Sequence, residues 1–210
     1  AGAVARDGRC LAMCGPSGAG KSTAALGLVG DGLDFVSNDR LLLRANERGV
    51  EVHGIPKHPR VNPGTILFNP MLKEMIPEEE RAQLLALPSD ELRELEQKYD
   101  VLIDELVGPN RFRMHGELEA LVVFNYGGDE DPTWREIDIA ERAELLPLIT
   151  KSPGLFYEAE LGQPEPDLSD ENYIETFSRA RVVEITGRQD FEAARRLCLD
   201  VLESGTTSVA

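Results

Sequence analysis

A glycine-rich stretch near the N-terminus carries the clearest chemical signal in the sequence. It reads CGPSGAGKST over residues 14–23, with four residues between its first glycine and the triplet Gly-Lys-Ser. This spacing is typical of a loop that binds nucleotide phosphates, because glycines let the backbone curl and point its N–H groups at an anion. The anion would lie at the N-terminus of the next helix, where the helix dipole also favours negative charge.

The sequence therefore predicts a site for ATP and Mg²⁺. Lys21 would bridge the β- and γ-phosphates, and the hydroxyl of Ser22 would bind Mg²⁺. The motif does not specify whether the terminal phosphate goes to water or to another molecule. The residues predicted to contact the nucleotide are Gly15, Pro16, Ser17, Gly18, Ala19, Gly20, Lys21, Ser22 and Thr23.

Asp39 ends the stretch FVSND and lies just beyond LDFVS, the buried strand predicted to follow the phosphate-loop helix. The carboxyl ends of neighbouring strands in a doubly wound sheet converge on one crevice, so this carboxylate would face the γ-phosphate. There it would accept the proton of an incoming hydroxyl group or bind the metal ion. In the alternative interpretation, Asn38 and Asp39 form only a polar turn at the end of the strand.

A second acidic pair suggests a different chemistry. Residues 101–105, VLIDE, have the pattern of a strand in which Asp104 would hold Mg²⁺ and Glu105 would polarise a water molecule, as in a hydrolytic ATPase. The same region also has helical spacing, with Leu102 and Leu106 on one face, and both acids would then face solvent. The sequence leaves both interpretations open.

Three motifs resemble the catalytic domain of HPr kinase/phosphorylase, and above all the HPr-kinase-related proteins of unassigned substrate. They are GPSGAGKST, FVSND and VEVHGI, within about residues 10–55. The resemblance implies an α/β fold shared in outline with phosphoenolpyruvate carboxykinase, with a mixed central sheet flanked by helices. It also implies that Asp39 acts on the accepting hydroxyl together with Lys21 as the catalytic residues, and that Ser22, Asp39 and Glu51 lie at the metal.

The chain departs from the pattern of this family at two positions. The first residue of the family's acidic pair is Asn38 here, and the arginine of its second motif is replaced by His53. The protein substrate of the family and its reverse phosphorolysis are therefore not predicted for this chain. A histidine of the family would align just before Ala1, so we expect upstream residues to be missing.

The leading hypothesis is an ATP- and Mg²⁺-dependent kinase that transfers the γ-phosphate to a hydroxyl of a protein or a small molecule. One alternative is a small-molecule kinase of the nucleoside or shikimate type, and another is an ATPase or nucleotide switch that uses Asp104 and Glu105. The sequence does not choose among the cations that would stabilise charge on the transferred phosphate. These are Lys57, Arg60, Arg111 and Arg113.

The composition predicts a single globular domain over residues 1–210. Apolar residues make up 41% of the chain and charged residues 29%. The formal charge of -16 argues against nucleic acid as a partner, and a homo-oligomer is compatible with the sequence. Since no apolar run spans a bilayer and no secretory signal pattern is present, we predict a cytoplasmic protein.

The pattern along the chain predicts elements that alternate between strands and helices. Cys10, Cys14 and Cys198 fit no metal-ligand spacing and are predicted to be buried thiols. The predicted elements are a hairpin turned at Asp7–Gly8, a helix after the loop, a strand at 33–37, a hairpin turned at 46–49, a proline-rich loop near the site at 56–70, one or two helices at 77–98, strands at 116–126 and 179–187, a helix or strand–helix junction at 135–149, and a terminal helix capped by Asp190.

Overall fold

A computed structural model describes residues 1–88, 91–92, 95, 97–152, 162 and 165–205. A curled, mixed β-sheet runs through this part of the chain, and apolar layers cover both of its faces. Helices form one layer, while a β-hairpin, a short helical segment and one further helix form the other. The predicted α/β class with a mixed sheet flanked by helices is confirmed.

Most elements lie where the hydrophobic pattern predicts them. The strands are β1 Gly2–Arg6, β2 Arg9–Cys14, β3 Asp34–Ser37, β4 Leu41–Asn46, β5 Gly49–Gly54, β6 Arg60–Val61, β7 Tyr99–Asp100, β8 His115–Phe124, β9 Thr133–Glu136 and β10 Arg181–Thr186. The helices are α1 Lys21–Gly30, α2 Pro63–Leu67, α3 Glu78–Leu85, α4 Ile103–Val107, α5 Leu146–Ile149, α6 Asp170–Phe177 and α7 Phe191–Gly205.

The strand directions decide what can meet at one edge of the sheet. The order is β3-β1-β2-β8-β10-β9, and the β4–β5 hairpin joins the sheet through β8. Since β1 pairs antiparallel with both β2 and β3, those two strands run in the same direction. β8 pairs parallel with β2 and with β10. The carboxyl ends of β2, β3, β8 and β10 therefore lie at the same edge.

Two tight turns confirm the predicted hairpins. Asp7 and Gly8 join β1 to β2 with φ angles of 52° and 79°, the positive values that a type I′ turn requires. In the second hairpin, Asn46 pairs with Gly49, and the Asn46 side-chain oxygen accepts hydrogen bonds from the backbone N–H groups of Arg48 and Gly49. An asparagine that bonds its own turn in this way is a common cause of chain reversal.

Alternate residues of the strands face opposite apolar layers, as the two-residue period of a strand requires. Leu11 and Met13 face the layer built with α1 and α7, whereas Ala12 and Cys14 face the layer that contains the β4–β5 hairpin and α6. Burying each large aliphatic side chain stabilises the fold by about 1.5 to 3 kcal/mol. The resulting core immobilises the ends of β2 and β3, where the candidate site begins.

Helices α1 and α7 show two kinds of burial. The buried residues of α1 lie on more than one side of the helix, because it lies between the sheet and α7; they are Ala24, Ala25, Leu26, Leu28 and Val29. α7 is amphipathic instead, with one buried stripe of Ala194, Cys198, Val201 and Leu202. The Asp190 carboxylate accepts a hydrogen bond of 2.9 Å from the Ala193 N–H, which confirms the predicted cap.

The three thiols are free and fully buried, as predicted. Burial raises the pKa of Cys10, Cys14 and Cys198 to about 12, because a thiolate is poorly solvated in the core. These side chains therefore behave as small apolar groups that fill the core.

The middle of the chain differs from its prediction. The proline-rich segment forms β6 and α2 rather than an open loop, and α3 covers only the first part of the region predicted to be helical. The helix start predicted at Ser89 lies outside the described residues. The region 135–149 begins inside β9 and ends in the single turn α5, which agrees with the predicted strand–helix junction.

A buried carboxylate ties the segment before α5 to the sheet. Glu184 of β10 is 1% exposed and accepts two hydrogen bonds from the guanidinium of Arg142, at 2.7 and 2.8 Å. Arg135 of β9 and Asn125 after β8 complete the cluster. Burial alone would raise the pKa of Glu184, but hydrogen bonds from Arg142, Asn125 and Arg135 outweigh it and hold this pKa at about 2. The charged pairs therefore fix the chain that leads into α5.

Glu184→Gln is expected to destabilise the protein by about 1.5 to 3 kcal/mol, because it removes the charged acceptor of Arg142 and Arg135, whose side chains are 24% and 64% exposed. Glu144→Gln is the matched control, since Glu144 also contacts Arg142 but its side chain is 63% exposed. That control is expected to cost less than about 1 kcal/mol. Urea unfolding at neutral pH measures both values, and equal values for the two variants would contradict the structural role of Glu184.

Acid should weaken the same interaction in the wild-type chain. The pKa of Glu184 falls from an ordinary value of 4.5 to about 2 on folding, so its contribution is complete above pH 4.5 and is lost as the pH drops toward 2. We expect the stability difference between the wild type and Glu184→Gln to shrink over this window. Unfolding curves from pH 6 down to the lowest pH at which the chain folds test this, and a difference that is constant with pH would contradict it.

Candidate functional site

The glycine-rich loop, residues 15–20, follows β2 directly and begins at a position that only glycine fits. Gly15 has a φ angle of 143°, and a Cβ atom there would lie 2.7 Å from the carbonyl oxygen of Phe124. Its N–H donates a hydrogen bond of 3.2 Å to the carbonyl of Leu148 in α5. The loop is therefore clamped between β8 and α5 at its first residue.

The rest of the loop packs against the segment that precedes α7. Gly18 and Gly20 have φ angles of 82° and 83°, in the left-handed region. The ring of Phe191 occupies the space that a side chain at Gly20 would need, and the Gln189 side-chain amide donates a hydrogen bond of 2.6 Å to the Gly18 carbonyl. These contacts hold the loop in one conformation before any ligand binds.

The glycine-rich loop and the first residue of α1 present backbone N–H groups without an acceptor among the described residues. The N–H groups of Gly18, Gly20 and Lys21 have no hydrogen-bond acceptor within the described part of the chain. Ala19 differs, since its N–H donates to the Pro16 carbonyl at 3.2 Å. Free N–H groups at the start of a ten-residue helix attract anions, because their partial charges add to the helix dipole.

Alanine substitutions should separate crowding from backbone strain in this loop. Gly18→Ala meets no atom within 4 Å, so it is expected to cost only the strain of its left-handed backbone, about 1 to 2 kcal/mol. Gly15→Ala is expected to cost more, because the added Cβ also overlaps the Phe124 carbonyl. Chemical denaturation of both variants measures the difference. A Gly15→Ala variant as stable as Gly18→Ala would contradict the close approach of the loop to β8.

Lys21 folds back over the loop. Its Nζ donates hydrogen bonds of 2.9 and 2.6 Å to the carbonyl oxygens of Gly15 and Pro16. The pKa of Lys21 is lowered mainly by burial and further by the positive charge of Lys151, while Cys14 acts in the opposite direction. The ammonium group thus lies at the mouth of the loop, at the point where the sequence analysis places phosphate.

Asp39 lies just beyond β3, at the sheet edge that also carries the loop. Its carboxylate contacts the Nζ of Lys151 at 3.2 Å, and its main-chain oxygen accepts a hydrogen bond of 2.6 Å from the Ala1 nitrogen. Burial raises the pKa of Asp39, but the hydrogen bond and charge of Lys151, followed by the charge of Arg40, outweigh it and lower the pKa overall. Asp39 is therefore a carboxylate at neutral pH.

Lys151 is a functional candidate that the sequence analysis missed. It lies 112 positions from Asp39, in no motif, and only the fold brings the two side chains together. The preceding helix α5 places it, because Leu148 accepts the hydrogen bond from Gly15 and Thr150 bonds back to Leu146. A lysine directly after a short apolar helix is a common pattern, so the sequence alone does not identify Lys151 as a functional residue.

Ser22 and Thr23 lie half-buried in the first turn of α1. The Thr23 hydroxyl lies 3.3 Å from the Thr65 hydroxyl of α2, so this residue links the phosphate-loop helix to its neighbour. The hydroxyl of Ser22 has no such partner within the described residues, which leaves it available to a ligand.

Glu51, predicted to lie at the metal, is placed elsewhere by the strand register. It pairs with Glu117 of β8, and Glu117 also pairs with Arg9 at the start of β2. The loop follows the other end of β2, roughly 17 Å away at about 3.3 Å per residue. Glu51 contacts His53 at 3.5 Å instead. The structure does not bring Glu51 to the loop, and its role as a metal ligand stays a prediction.

Three of the four cations named from the sequence are paired with carboxylates away from Asp39. Arg111 and Arg113 contact Asp34 at 2.9 and 2.8 Å, at the opposite end of β3, and Arg60 contacts Asp100 at 3.2 Å. These pairs hold β3 and the β6–β7 ladder in place. Among the described residues, Lys151 is instead the basic side chain paired with Asp39.

The strand interpretation of residues 101–105 is wrong. The chain forms the two-residue strand β7, which pairs with β6 and with no other strand of the described residues, and then the short helix α4. Asp104 and Glu105 are exposed in the first turn of α4, outside the central sheet. The helical alternative is correct for these two acids, which face solvent, but the helix does not extend back through residues 97–102.

Two properties of the described residues bear on what the chain can bind and where it can lie. The side chains of histidine, cysteine, aspartate and glutamate do not form a group of three or more that could bind a metal by itself. None of the helices in the described ranges is long and apolar enough to cross a membrane.

Comparison with known proteins adds a distant likeness. No protein-family model matches the chain, and no curated protein matches it either. Among solved structures, it is similar to the HPr(Ser) kinase/phosphatase from Coxiella burnetii, with 11% sequence identity and a TM-score of 0.48, over 97% of this chain and 95% of that chain. At this identity and TM-score, the likeness identifies neither the family nor the activity of the chain.

Proposed function

We propose that the chain is an ATP- and Mg²⁺-dependent phosphotransferase that moves the γ-phosphate of ATP to a hydroxyl group of a small molecule or a protein. The observation that carries the proposal is the meeting of the glycine-rich loop and Asp39 at one edge of the sheet, since β2 and β3 run in the same direction. Lys151 links them, because its Nζ contacts Asp39 and the helix α5 just before it accepts the hydrogen bond from Gly15 of the loop.

Each group would have a defined task in the transfer. The free N–H groups of the loop and the Lys21 ammonium bind the phosphates and stabilise negative charge on them. The Asp39 carboxylate accepts the proton of the acceptor hydroxyl as its oxygen bonds to the γ-phosphorus. The bond between that phosphorus and the oxygen bridging the β- and γ-phosphates breaks, and ADP leaves with the electron pair.

The oxygen donors at this edge fit Mg²⁺. The Ser22 hydroxyl and the Asp39 carboxylate are hard ligands, and Mg²⁺ usually binds through one or two protein oxygens together with substrate phosphates. A site of this type needs no group of three acidic side chains. When bound, the ion would neutralise charge on the phosphates, and the residues that would hold it are Ser22 and Asp39.

Asp39→Asn should separate catalysis from binding. The amide is nearly the same size as the carboxylate but is a far weaker base, so phosphotransfer is expected to fall about 10²- to 10⁴-fold. ATP binding is expected to persist, because the loop, Lys21 and Ser22 are unchanged and the side-chain carbonyl oxygen of asparagine can still bind Mg²⁺. Turnover with γ-labelled ATP and equilibrium binding of ATP measure the two effects.

Asp104→Asn and Glu105→Gln are the matched controls, since both acids are exposed on α4. Each variant is expected to keep the wild-type rate. Loss of ATP turnover in these variants, with full activity in Asp39→Asn, would contradict the phosphotransferase and favour an ATPase that uses the second acidic pair.

A further inference from the structure

Lys151 lies beside the candidate phosphate site without belonging to the glycine-rich loop. Its Nζ contacts the Asp39 carboxylate, and its charge also acts on Lys21. The sheet edge that carries the loop therefore holds two ammonium groups and one carboxylate, so positive charge is in excess among these three groups. Like charges at one edge repel, and an anion bound beside them reduces that repulsion.

The pair between Lys151 and Asp39 contributes little to folding. Their side chains are 58% and 54% exposed, and exposed ion pairs are worth about 0 to 1 kcal/mol. Glu184, whose partners hold it in the core at 1% exposure, is the contrasting case. A phosphate group carries more negative charge than a carboxylate and offers more acceptor oxygens, so it would replace Asp39 as the partner of Lys151 at little cost.

The backbone fixes the position from which Lys151 reaches the site. The carbonyl of Leu148 accepts the hydrogen bond from Gly15, and the N–H and hydroxyl of Thr150 donate to the Leu146 carbonyl at 2.8 and 3.0 Å. Lys151 follows Thr150 directly, so its Cα is anchored to the first residue of the loop. Its flexible four-carbon stem then lets the ammonium move between two nearby acceptors.

We propose that Lys151 binds the terminal phosphoryl group of ATP and releases Asp39 when it does so. This inference rests on the proposed function and identifies the cation that the four sequence candidates left open. No covalent bond changes in the step, since one ion pair replaces another. ATP offers the γ-phosphoryl group and ADP does not, so Lys151 would make the site distinguish the two nucleotides. The released Asp39 carboxylate is then free to face the acceptor hydroxyl.

The test is the binding of ATP and of ADP, each with Mg²⁺, to the wild type and to Lys151→Met. Loss of a charge-assisted hydrogen bond is expected to weaken ATP binding about 10- to 100-fold and to leave ADP binding nearly unchanged. Lys151→Arg should restore part of the preference for ATP. Lys73→Met is the control, because Lys73 is also exposed and pairs only weakly with Glu74, at 3.9 Å. Thermal unfolding checks that all variants are folded.

The outcomes distinguish this inference from the proposed function. Equal weakening of ATP and ADP in Lys151→Met, or no weakening of either, would overturn the role of Lys151 while leaving the phosphotransferase intact. A wild type that binds ATP but transfers no phosphate would contradict the proposed function, and the ratio of the two affinities would still decide the role of Lys151. A wild type that binds neither nucleotide would overturn both.

Discussion

The candidate site depends on the pairing of one strand, β1, which runs antiparallel to both of its neighbours. This pairing makes β2 and β3 parallel to each other although they are separated by a strand, so the loop after β2 and the carboxylate after β3 emerge at the same edge. The tight turn at Asp7 and Gly8 sets the register of β1 on β2. A shift of one residue would send Leu11 and Met13 to the wrong face of the sheet, so the apolar layers oppose it.

Two kinds of ion pair then have different tasks at this edge. Glu184 is buried among guanidinium and amide groups, and its partners fix the segment that enters α5. α5 in turn accepts the hydrogen bond from Gly15 and carries Lys151 to Asp39. The pair at Asp39 is exposed on both sides and contributes little to folding, whereas Glu184 itself is buried and accepts several hydrogen bonds from charged groups. A segment held firmly by Glu184 therefore carries the exposed pair at the candidate site.

Local patterns in the sequence predicted those parts of the structure that depend on interactions between neighbouring residues. The glycines of the loop, the two hairpin turns, the Asp190 cap and the buried thiols all depend on a few adjacent residues. The partnership of Lys151 with Asp39 could not be predicted, because the two residues are far apart in the chain and neither motif nor spacing links them. Asp104 and Glu105 follow an apolar run that is compatible with a strand or a helix. The run lies outside the central sheet, and residues 103–107 form a helix. Glu51 lies on the predicted hairpin, but its distance from the loop depends on the register with β8, which the sequence does not show.

In the proposed reaction, the terminal phosphoryl group of ATP goes from the glycine-rich loop to a hydroxyl under the control of Asp39. The most direct measurement incubates the wild-type chain with γ-labelled ATP, Mg²⁺ and a cell extract, locates the label, and repeats the reaction with Asp39→Asn. If Asp39 directs the transfer, label is expected on an acceptor hydroxyl in the wild-type reaction and is expected to be lost with the variant. Label that appears only as inorganic phosphate, at the same rate with both proteins, would contradict it.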